Sequence, residues 1–134
     1  MANEATLIIE TGSPIPFTVA NGNGLEKGTI LKLTDPMTAS GALAYGNPIA
    51  GISASEKIAS DGKTRLACFR QGIFKGTASG SITAGQAITI TTSNSNILEA
   101  CAVNTENTVG IALETAANTE TFLFELRPTA MELA

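Results

Sequence analysis

Residues 82–127 contain three apolar runs, which read ITAGQAITI at 82–90, TVGIALE at 108–114 and TFLFELR at 121–127. Runs of the same kind occur earlier in the same order, and read LEKGTILKL at 25–33, PIAGI at 48–52 and KTRLACFR at 63–70. Internal sequence similarity at a fixed spacing is typical of a duplicated supersecondary unit. Two copies are too few for a solenoid, so the sequence predicts one compact domain built from two pseudo-repeated halves, 25–70 and 82–127.

Glycines and arginines mark the correspondence between the halves. Gly28 and Gly85, and likewise Arg70 and Arg127, lie 57 positions apart, whereas Gly51 and Gly110 lie 59 apart. The glycines indicate bends or bulges in strands. Each arginine ends a strand, where a solvated charge is the expected role. A salt bridge to another subunit is the more specific alternative.

Apolar and polar residues alternate in several of these runs, as at Leu31 and Leu33 in the first half and Ile88 and Ile90 in the second. This period of two predicts strands with one buried face. Frequent Gly and Asn turns between short runs then predict a mostly β fold of the barrel or sandwich type.

One segment of each half favours a short helix instead. Ser53 is followed three residues later by Glu56, which is the capping-box pattern of a helix start. We therefore expect a short helix over 53–60, leaning on the sheet because one or two turns are marginal alone. A counterpart over 114–118, without a comparable cap, would give one or two short helices in all.

The chain before Asn21 differs from the repeated part. Residues 5–10 read ATLIIE and residues 17–20 read FTVA, two β-prone runs separated by prolines, and turn dipeptides follow at 21–24. The alternative that this segment pairs with its own sheet stays open, because terminal strands are often tied down in this way. The predicted division is an extended N-terminal arm over 1–24, a single β-rich domain over 25–128 and a short C-terminal tail over 129–134.

Composition excludes several classes of function. The 134 residues carry a formal net charge of −4 and include five Phe, one Tyr and no Trp. Such a chain repels phosphate backbones and offers few rings for stacking on bases or sugars. The sequence has no apolar run of membrane-spanning length and no basic signal region at its start. We expect a protein made in the cytoplasm, with no nucleic-acid and no membrane partner.

The two cysteines, Cys68 and Cys101, fall in opposite halves among small or apolar neighbours. Without a CxxC pair or a histidine they make no zinc site. Two reduced thiols acting as small hydrophobes are expected, and a disulfide between them is left open.

Catalytic motifs are missing from the sequence. It contains no histidine, so neither a Ser-His-Asp nor a Cys-His arrangement is possible. The GKT at 62–64 resembles the end of a P-loop, but Lys57 stands where that motif needs a glycine. We expect no enzyme activity, no catalytic residue, no metal site and no cofactor.

Three runs of the chain resemble a known family. GIFKG at 72–76 with ITAGQA at 82–87, followed by TVGIALETA at 108–116, is similar to the small-domain capsid cement (decoration) proteins of tailed phages. Members of that group pair G-x-I-T-A-G-x with x-x-G-I-A-L-E-x-A. The likeness covers roughly residues 25–127 and consists of common small residues.

The resemblance implies a mostly β, β-tulip-like accessory protein on the outer surface of an icosahedral phage capsid. There it would decorate and stabilise the shell by binding across neighbouring major capsid subunits. Its partner would be the major capsid protein, and it would form a homotrimer or a trimeric cluster on the capsid. The expected location is the virion, after synthesis in the host cytoplasm.

A cement protein needs adhesive edges rather than reactive groups. Leu7, Ile8 and Ile9 could add a strand to a partner's sheet edge. Ile15 and Phe17, stiffened by flanking prolines, would dock with little ordering cost. We therefore take these five as candidate capsid-binding residues, and expect a chain lacking residues 1–20 to fold but to attach weakly.

The alternative is a carbohydrate- or receptor-binding β-domain of a phage fibre or tail. Sugars are usually gripped by aromatic faces, and the scarcity of aromatic residues counts against it. Binding of a glycan through Tyr45, the one tyrosine, would favour it.

Overall fold

The computed structural model describes residues 3–41, 47–91, 96–101 and 107–129. Within these ranges the regular structure consists of eleven short strands, and no helix is present. The strands are β1 Thr6–Ile9, β2 Ile15–Thr18, β3 Ile30–Thr34, β4 Thr38–Ser40, β5 Ile49–Ser53, β6 Arg65–Phe69, β7 Gly72–Thr77, β8 Ala87–Ile90, β9 Leu98–Ala100, β10 Thr108–Ala112 and β11 Thr121–Thr129. The mostly β class predicted from the sequence is confirmed.

Five strands of the first part of the chain close into a barrel in the order β2-β4-β3-β5-β6. β2 closes it, because it pairs in parallel with β4 at Thr18 and Thr38 and antiparallel with β6 along its length. Closure leaves none of these strands with an open edge. The barrel interior is filled by small and branched side chains with one ring: Phe17, Val19, Leu25, Leu31, Ala39, Ala50, Leu66 and Cys68.

The remaining six strands form an open sheet in the order β1-β7-β11-β10-β8-β9. β11, the longest strand, lies near the centre and pairs with β7 from Thr121 to Leu126 and with β10 on its other side. β1 and β9 are therefore the two edges of the sheet. Their exposure matters for function, because an edge strand carries unpaired main-chain groups.

The larger core lies on one face of this sheet and extends to barrel residues. Phe74 of β7 and Phe122 and Phe124 of β11 are at most 1% exposed. The rings of Phe74 and Phe124 stack with centroids 6.0 Å apart, and Phe69 of the barrel meets Phe74 edge-on at 5.7 Å. Ile30 and Ile52 of the barrel belong to the same cluster, so the barrel and the sheet pack as one unit.

The prediction of one or two short helices is wrong for the described residues. Ser53 ends β5, and its hydroxyl accepts from the N–H of Thr29 and donates to the carbonyl of Glu26. Lys57 then pairs with Leu25 through hydrogen bonds of 2.7 and 2.8 Å. In the second segment Ala116 pairs with Ile82 in the same way. Main-chain pairing to another part of the chain replaces a helix too short to be stable alone.

The segment expected as an arm contributes one strand to each sheet. β1 pairs antiparallel with β7, and β2 is part of the barrel wall. Ala5, Phe17 and Val19 are at most 4% exposed. This is the alternative in which the segment pairs with its own sheet. At the other end β11 continues to Thr129, and residues 130–134 of the predicted tail lie outside the described residues.

Candidate docking surfaces

The five candidate residues lie in three different environments. Ile8 and Ile9 on β1 are 49% and 54% exposed, Ile15 on β2 is 37% exposed, and Phe17 is only 3% exposed. Leu7 is half-buried and packs against the larger core. The structure thus brings Ile8 and Ile9 to an open edge, and Ile15 and Phe17 to the wall and interior of the barrel.

The edge surface, which we define as β1 with Ile8 and Ile9, has one paired and one open side. On the paired side Thr6, Leu7 and Ile9 face Lys75, Phe74 and Ile73 of β7, with a bulge between Leu7 and Ile9. No strand of the described chain pairs with the other side. Two neighbouring exposed isoleucines on an unpaired edge are unusual in a protein that stays monomeric, because such an edge invites strand addition.

A second surface lies on the barrel wall and was not predicted as a site. It is an open groove of about 540 Å³, which we call the barrel groove. Ile15 and Phe17, both candidates, contribute to it from β2. The lining is completed by residues of β3, of the turn after it, and of the loops beside β5 and β6: Leu33, Thr34, Asp35, Met37, Pro48 and Arg70.

Arg70 is the one cationic residue in this lining. Its Nη1 donates to the carbonyl oxygens of Ile49 at 3.2 Å and Ala50 at 3.0 Å. Within the described part of the chain it forms no salt bridge. Arg127 differs, because its Nη2 lies 3.1 Å from a carboxylate oxygen of Glu125. Among the described residues, Arg70 therefore presents a partly buried charge without a paired carboxylate.

The groups that could act as nucleophiles are poorly placed for chemistry. Burial raises the pKa of the Cys68 thiol to about 12. Burial, and secondly the charge of Glu99, raise the pKa of Cys101. Both cysteines are free. Because only the thiolate is reactive, both are inert near neutral pH.

The described residues contain no cluster of three or more His, Cys, Asp or Glu that could hold a metal ion. In the same ranges no helix is long and apolar enough to cross a membrane. The surface features that stand out are therefore the edge surface and the barrel groove.

Comparison with known proteins gives one family and one fold. The sequence profile of a family described as phage cement protein matches residues 9–127. The fold is similar to the crystal structure of the head fibre gp8.5 N base of bacteriophage phi29, with a TM-score of 0.57 and 13% identity. That match covers 89% of this chain and 98% of the other. At this identity the likeness concerns the fold alone. No curated protein sequence matches the chain.

Proposed function

Since the chain belongs to the phage cement protein family, we propose that it binds the outer surface of an icosahedral phage capsid across neighbouring major capsid subunits. It is a capsid-associated structural protein of a bacteriophage. The contact with the major capsid protein and the outer position on the virion are parts of the proposal. So is synthesis in the host cytoplasm.

The observation that carries the proposal is the edge surface. Ile8 and Ile9 are about half exposed on a strand whose second side has no partner in the described chain. A strand of a capsid subunit added there would gain main-chain hydrogen bonds and would cover both side chains. Leu7 faces the core and supports the strand from inside.

The barrel groove gives the other two candidates different roles. Ile15 is exposed enough to touch a partner directly, whereas the buried ring of Phe17 forms the floor of the groove. We keep Ile15 as a contact residue and treat Phe17 as a support. Residues 3–24 then act as part of the folded surface, which binds at lower entropic cost than a flexible arm.

A purely structural role without enzyme activity is also part of the proposal. Its support is chemical: the sequence has no histidine, and both thiols have raised pKa values. Attachment in trimers or trimeric clusters would strengthen modest single contacts, because linked sites on a lattice bind with avidity.

We also propose that the two halves descend from one duplicated unit. Leu31 pairs with Gly51 in the barrel, and Ile88 pairs with Gly110 in the sheet. These pairs keep the sequence offsets of 57 and 59. The amide N–H of Gly28 donates to the carbonyl of Ser53, and that of Gly85 to the carbonyl of Ala112, at the same two offsets.

The alternative, a glycan-binding domain of a fibre or tail, gains little support. All five phenylalanines are at most 8% exposed, so none offers a face to a sugar. Tyr45, on which that hypothesis depends, lies outside the described residues.

Cosedimentation of the purified protein with mature, decoration-stripped capsids tests the proposal. We expect saturable binding near one copy per major capsid subunit, and a shell that resists heat better. Ile8→Lys should weaken binding at least about tenfold, equivalent to about 1.4 kcal/mol, because a charged edge opposes strand addition. Ile58→Lys is the matched control, since Ile58 is 66% exposed on a different segment.

Absence of saturable binding by the wild-type protein would overturn the cement proposal. Equal binding by Ile8→Lys and wild type would remove the edge surface from it. Deletion of residues 1–20 is a poor test, because it would also remove the buried Phe17 and Val19 and two paired strands.

A further inference from the structure

We propose that the barrel groove binds an extended segment of the capsid shell protein in which a carboxylate is flanked by aliphatic side chains. Arg70 would pair with that carboxylate. This inference rests on the proposed capsid-binding function and adds a second contact, distinct from the edge surface in both place and chemistry.

The first argument is the unmatched charge of Arg70. A guanidinium offers five N–H donors in a planar fork, and the two hydrogen bonds of Arg70 both leave from Nη1. Its other donors make no hydrogen bond within the described part of the chain. A half-buried cation without a counter-ion is costly, and a carboxylate is the group that a guanidinium fork binds best.

The carbonyls of Ile49 and Ala50 also fix the orientation of the fork. They hold Nη1 at 3.2 and 3.0 Å, so the side chain loses little freedom when a ligand arrives. Preorganisation of this kind favours binding, because the ordering cost has already been met in the free protein.

The second argument is the apolar wall around Arg70. Ile15 and Met37 are 37% and 53% exposed, and Phe17, Leu33 and Pro48 complete a surface of aliphatic and ring carbons. Such a wall fits branched aliphatic side chains, and burying them would exclude water from the ion pair. The occupant therefore combines apolar side chains with one carboxylate.

The third argument concerns the shape of the occupant. Leu33, Pro48 and Arg70 also line a second cavity of about 190 Å³, which continues to Ile49, Asn107, Pro128 and Thr129. Arg70 stands where the two cavities meet. An elongated segment can run through both with its carboxylate in the middle, whereas a compact group would fill only one.

Asp35 sets the direction of the occupant. It lines the barrel groove but forms no ion pair with Arg70 in the described structure. Its carboxylate repels a second carboxylate at its own end of the groove. The acidic residue of the segment must therefore lie toward Arg70, and a neutral or cationic residue toward Asp35.

The groove differs from the edge surface in what it can recognise. β2 pairs with β6 along its length and with β4 at Thr18, and Pro16 has no N–H to donate, so β2 offers a further strand only a short and incomplete main-chain edge. Recognition here depends mainly on side chains, and this gives the groove its sequence selectivity.

The first test uses short blocked peptides and the purified full chain. NMR titration with acetyl-Leu-Glu-Val-amide should shift the methyl signals of Ile15 and Met37, with a Kd on the order of 1 mM for so small a ligand. Acetyl-Leu-Gln-Val-amide should bind at least about tenfold more weakly. Equal shifts with both peptides, or none with the glutamate peptide, would overturn the proposal.

Two variants and a control link the groove to the capsid. Arg70→Gln removes the charge but keeps an N–H₂ group for the carbonyls, and Met37→Glu adds a carboxylate to the exposed wall while leaving Arg70 in place. Each should weaken capsid cosedimentation at least about tenfold. Arg127→Gln is the matched control, because Arg127 is exposed and paired with Glu125, and it should bind as wild type does. Thermal unfolding of all three checks that they are folded.

The outcomes separate this inference from the proposed function. If wild type binds capsids and both groove variants bind equally well, the groove proposal fails and the cement function stands. If wild type does not bind capsids, the cement function fails, and the peptide titration still decides the groove chemistry. Self-association that Arg70→Gln abolishes would overturn the capsid segment as occupant in favour of a second copy of the chain.

Discussion

Two turns of the molecule have the same main-chain pairing and different side chains at the same place. In the barrel half, Leu25 and Lys57 exchange hydrogen bonds of 2.8 and 2.7 Å, and in the sheet half Ile82 and Ala116 exchange two of 2.9 Å. All four residues are buried. One half therefore places a lysine, and the other an alanine, at one position of a common backbone.

The lysine supports its turn by polar contacts. Lys57 is 1% exposed, and its Nζ lies 2.8 Å from the carbonyl of Asn21, 3.2 Å from that of Ile58 and 3.3 Å from Oδ1 of Asp61. It thereby connects the turn after β2 with the turn before β6. Ala116 makes no such contacts and belongs to the larger hydrophobic core.

The proposed duplication therefore preserved the main-chain geometry of the turn but not the side-chain contacts that stabilise it. Ser60 and Thr119, 59 positions apart, both have positive φ angles, of 61° and 71°. Their N–H groups donate to the carbonyls of Asn21 and Ala78. The backbone of the turn is thus the same although one turn surrounds an ammonium group and the other apolar carbon.

Removing the lysine should have the largest effect on stability. Lys57→Ala, which copies the residue of the other half, should lower the free energy of unfolding by about 3 kcal/mol or more. It leaves a cavity and removes the donor from the partly buried hydrogen bonds to the carbonyls of Asn21 and Ile58. Urea unfolding measures the loss, and Lys63→Ala, at an exposed neighbouring position, should stay within about 0.5 kcal/mol of wild type. A loss below about 1 kcal/mol for Lys57→Ala would mean that the two turns are held alike.

Adding a methyl group to the two matched glycines should have the next largest effect. A Cβ at Gly51 would collide with the carbonyl oxygen of Phe69, and one at Gly110 with that of Glu125. Gly51→Ala and Gly110→Ala should each cost about 2–3 kcal/mol in urea unfolding. The cost should be greater at Gly51, where φ is 146°.

Gly22→Ala is the control for this pair, because a Cβ there has no atom within 4 Å. It should leave the unfolding midpoint nearly unchanged. A large loss of stability at only one of the two matched glycines would show that the neighbouring strands do not approach equally closely in the two halves. This result would weaken the proposed duplication.

Much of the fold could be predicted from the sequence, because its strands have a period of two and its turns contain Gly, Asn and Pro. The alternation at 30–34, 87–90 and 121–126 corresponds to β3, β8 and β11. The single buried face that this period predicts is present in β11, whereas in β8 Thr89 is buried together with Ile88 and Ile90. The helix over 53–60 could not be recognised as wrong, since the capping-box pattern is local. The pairing of Lys57 with Leu25 depends on residues 32 positions away.

The match between Arg70 and Arg127 shows a related limit. Ile52 pairs with Phe69, and Ile111 pairs with Glu125, so the last strand is offset by 56 rather than 57. By that register Leu126 is the counterpart of Arg70. The sequence aligned Arg70 with Arg127 because both are arginines. The strand pairing shifts that alignment by one residue.

The candidate site was predictable only where it depends on one strand. Two adjacent exposed isoleucines on β1 follow from a short apolar run near the start of the chain. The barrel groove does not, because its lining comes from β2, β3 and the ends of β5 and β6, which meet only when the barrel closes. Nothing in the sequence around Phe17 distinguishes a docking side chain from a core one.

The smallest expected difference between the two turns is in how their stability depends on pH. The N–H of Lys63, donating to Oδ1 of Asp61 at 2.9 Å, lowers the pKa of that carboxyl below 3.8, and Lys57 and the N–H of Ile58 contribute in the same direction. A carboxyl with a lowered folded pKa stabilises the native state above its unfolded pKa, and the gain is lost as the pH falls through the folded value. Asp61→Asn should therefore be less stable than wild type at pH 7, and the gap should narrow when the pH is lowered to 3.

Urea midpoints at the two pH values measure this gap, and the Lys57→Met background identifies its source. Because the main-chain N–H of Lys63 is the leading cause of the shift, most of the acid-dependent gap should persist when the ammonium group is absent. If the gap disappears in Lys57→Met, the ion pair at 3.3 Å controls Asp61, and the two turns differ in electrostatics as well as in packing. If it persists, Asp61 acts mainly on the backbone of its turn, as Glu120 does by accepting from the N–H of Ala117 in the other half. The lysine and its polar contacts would then be the main difference in how the two turns are held.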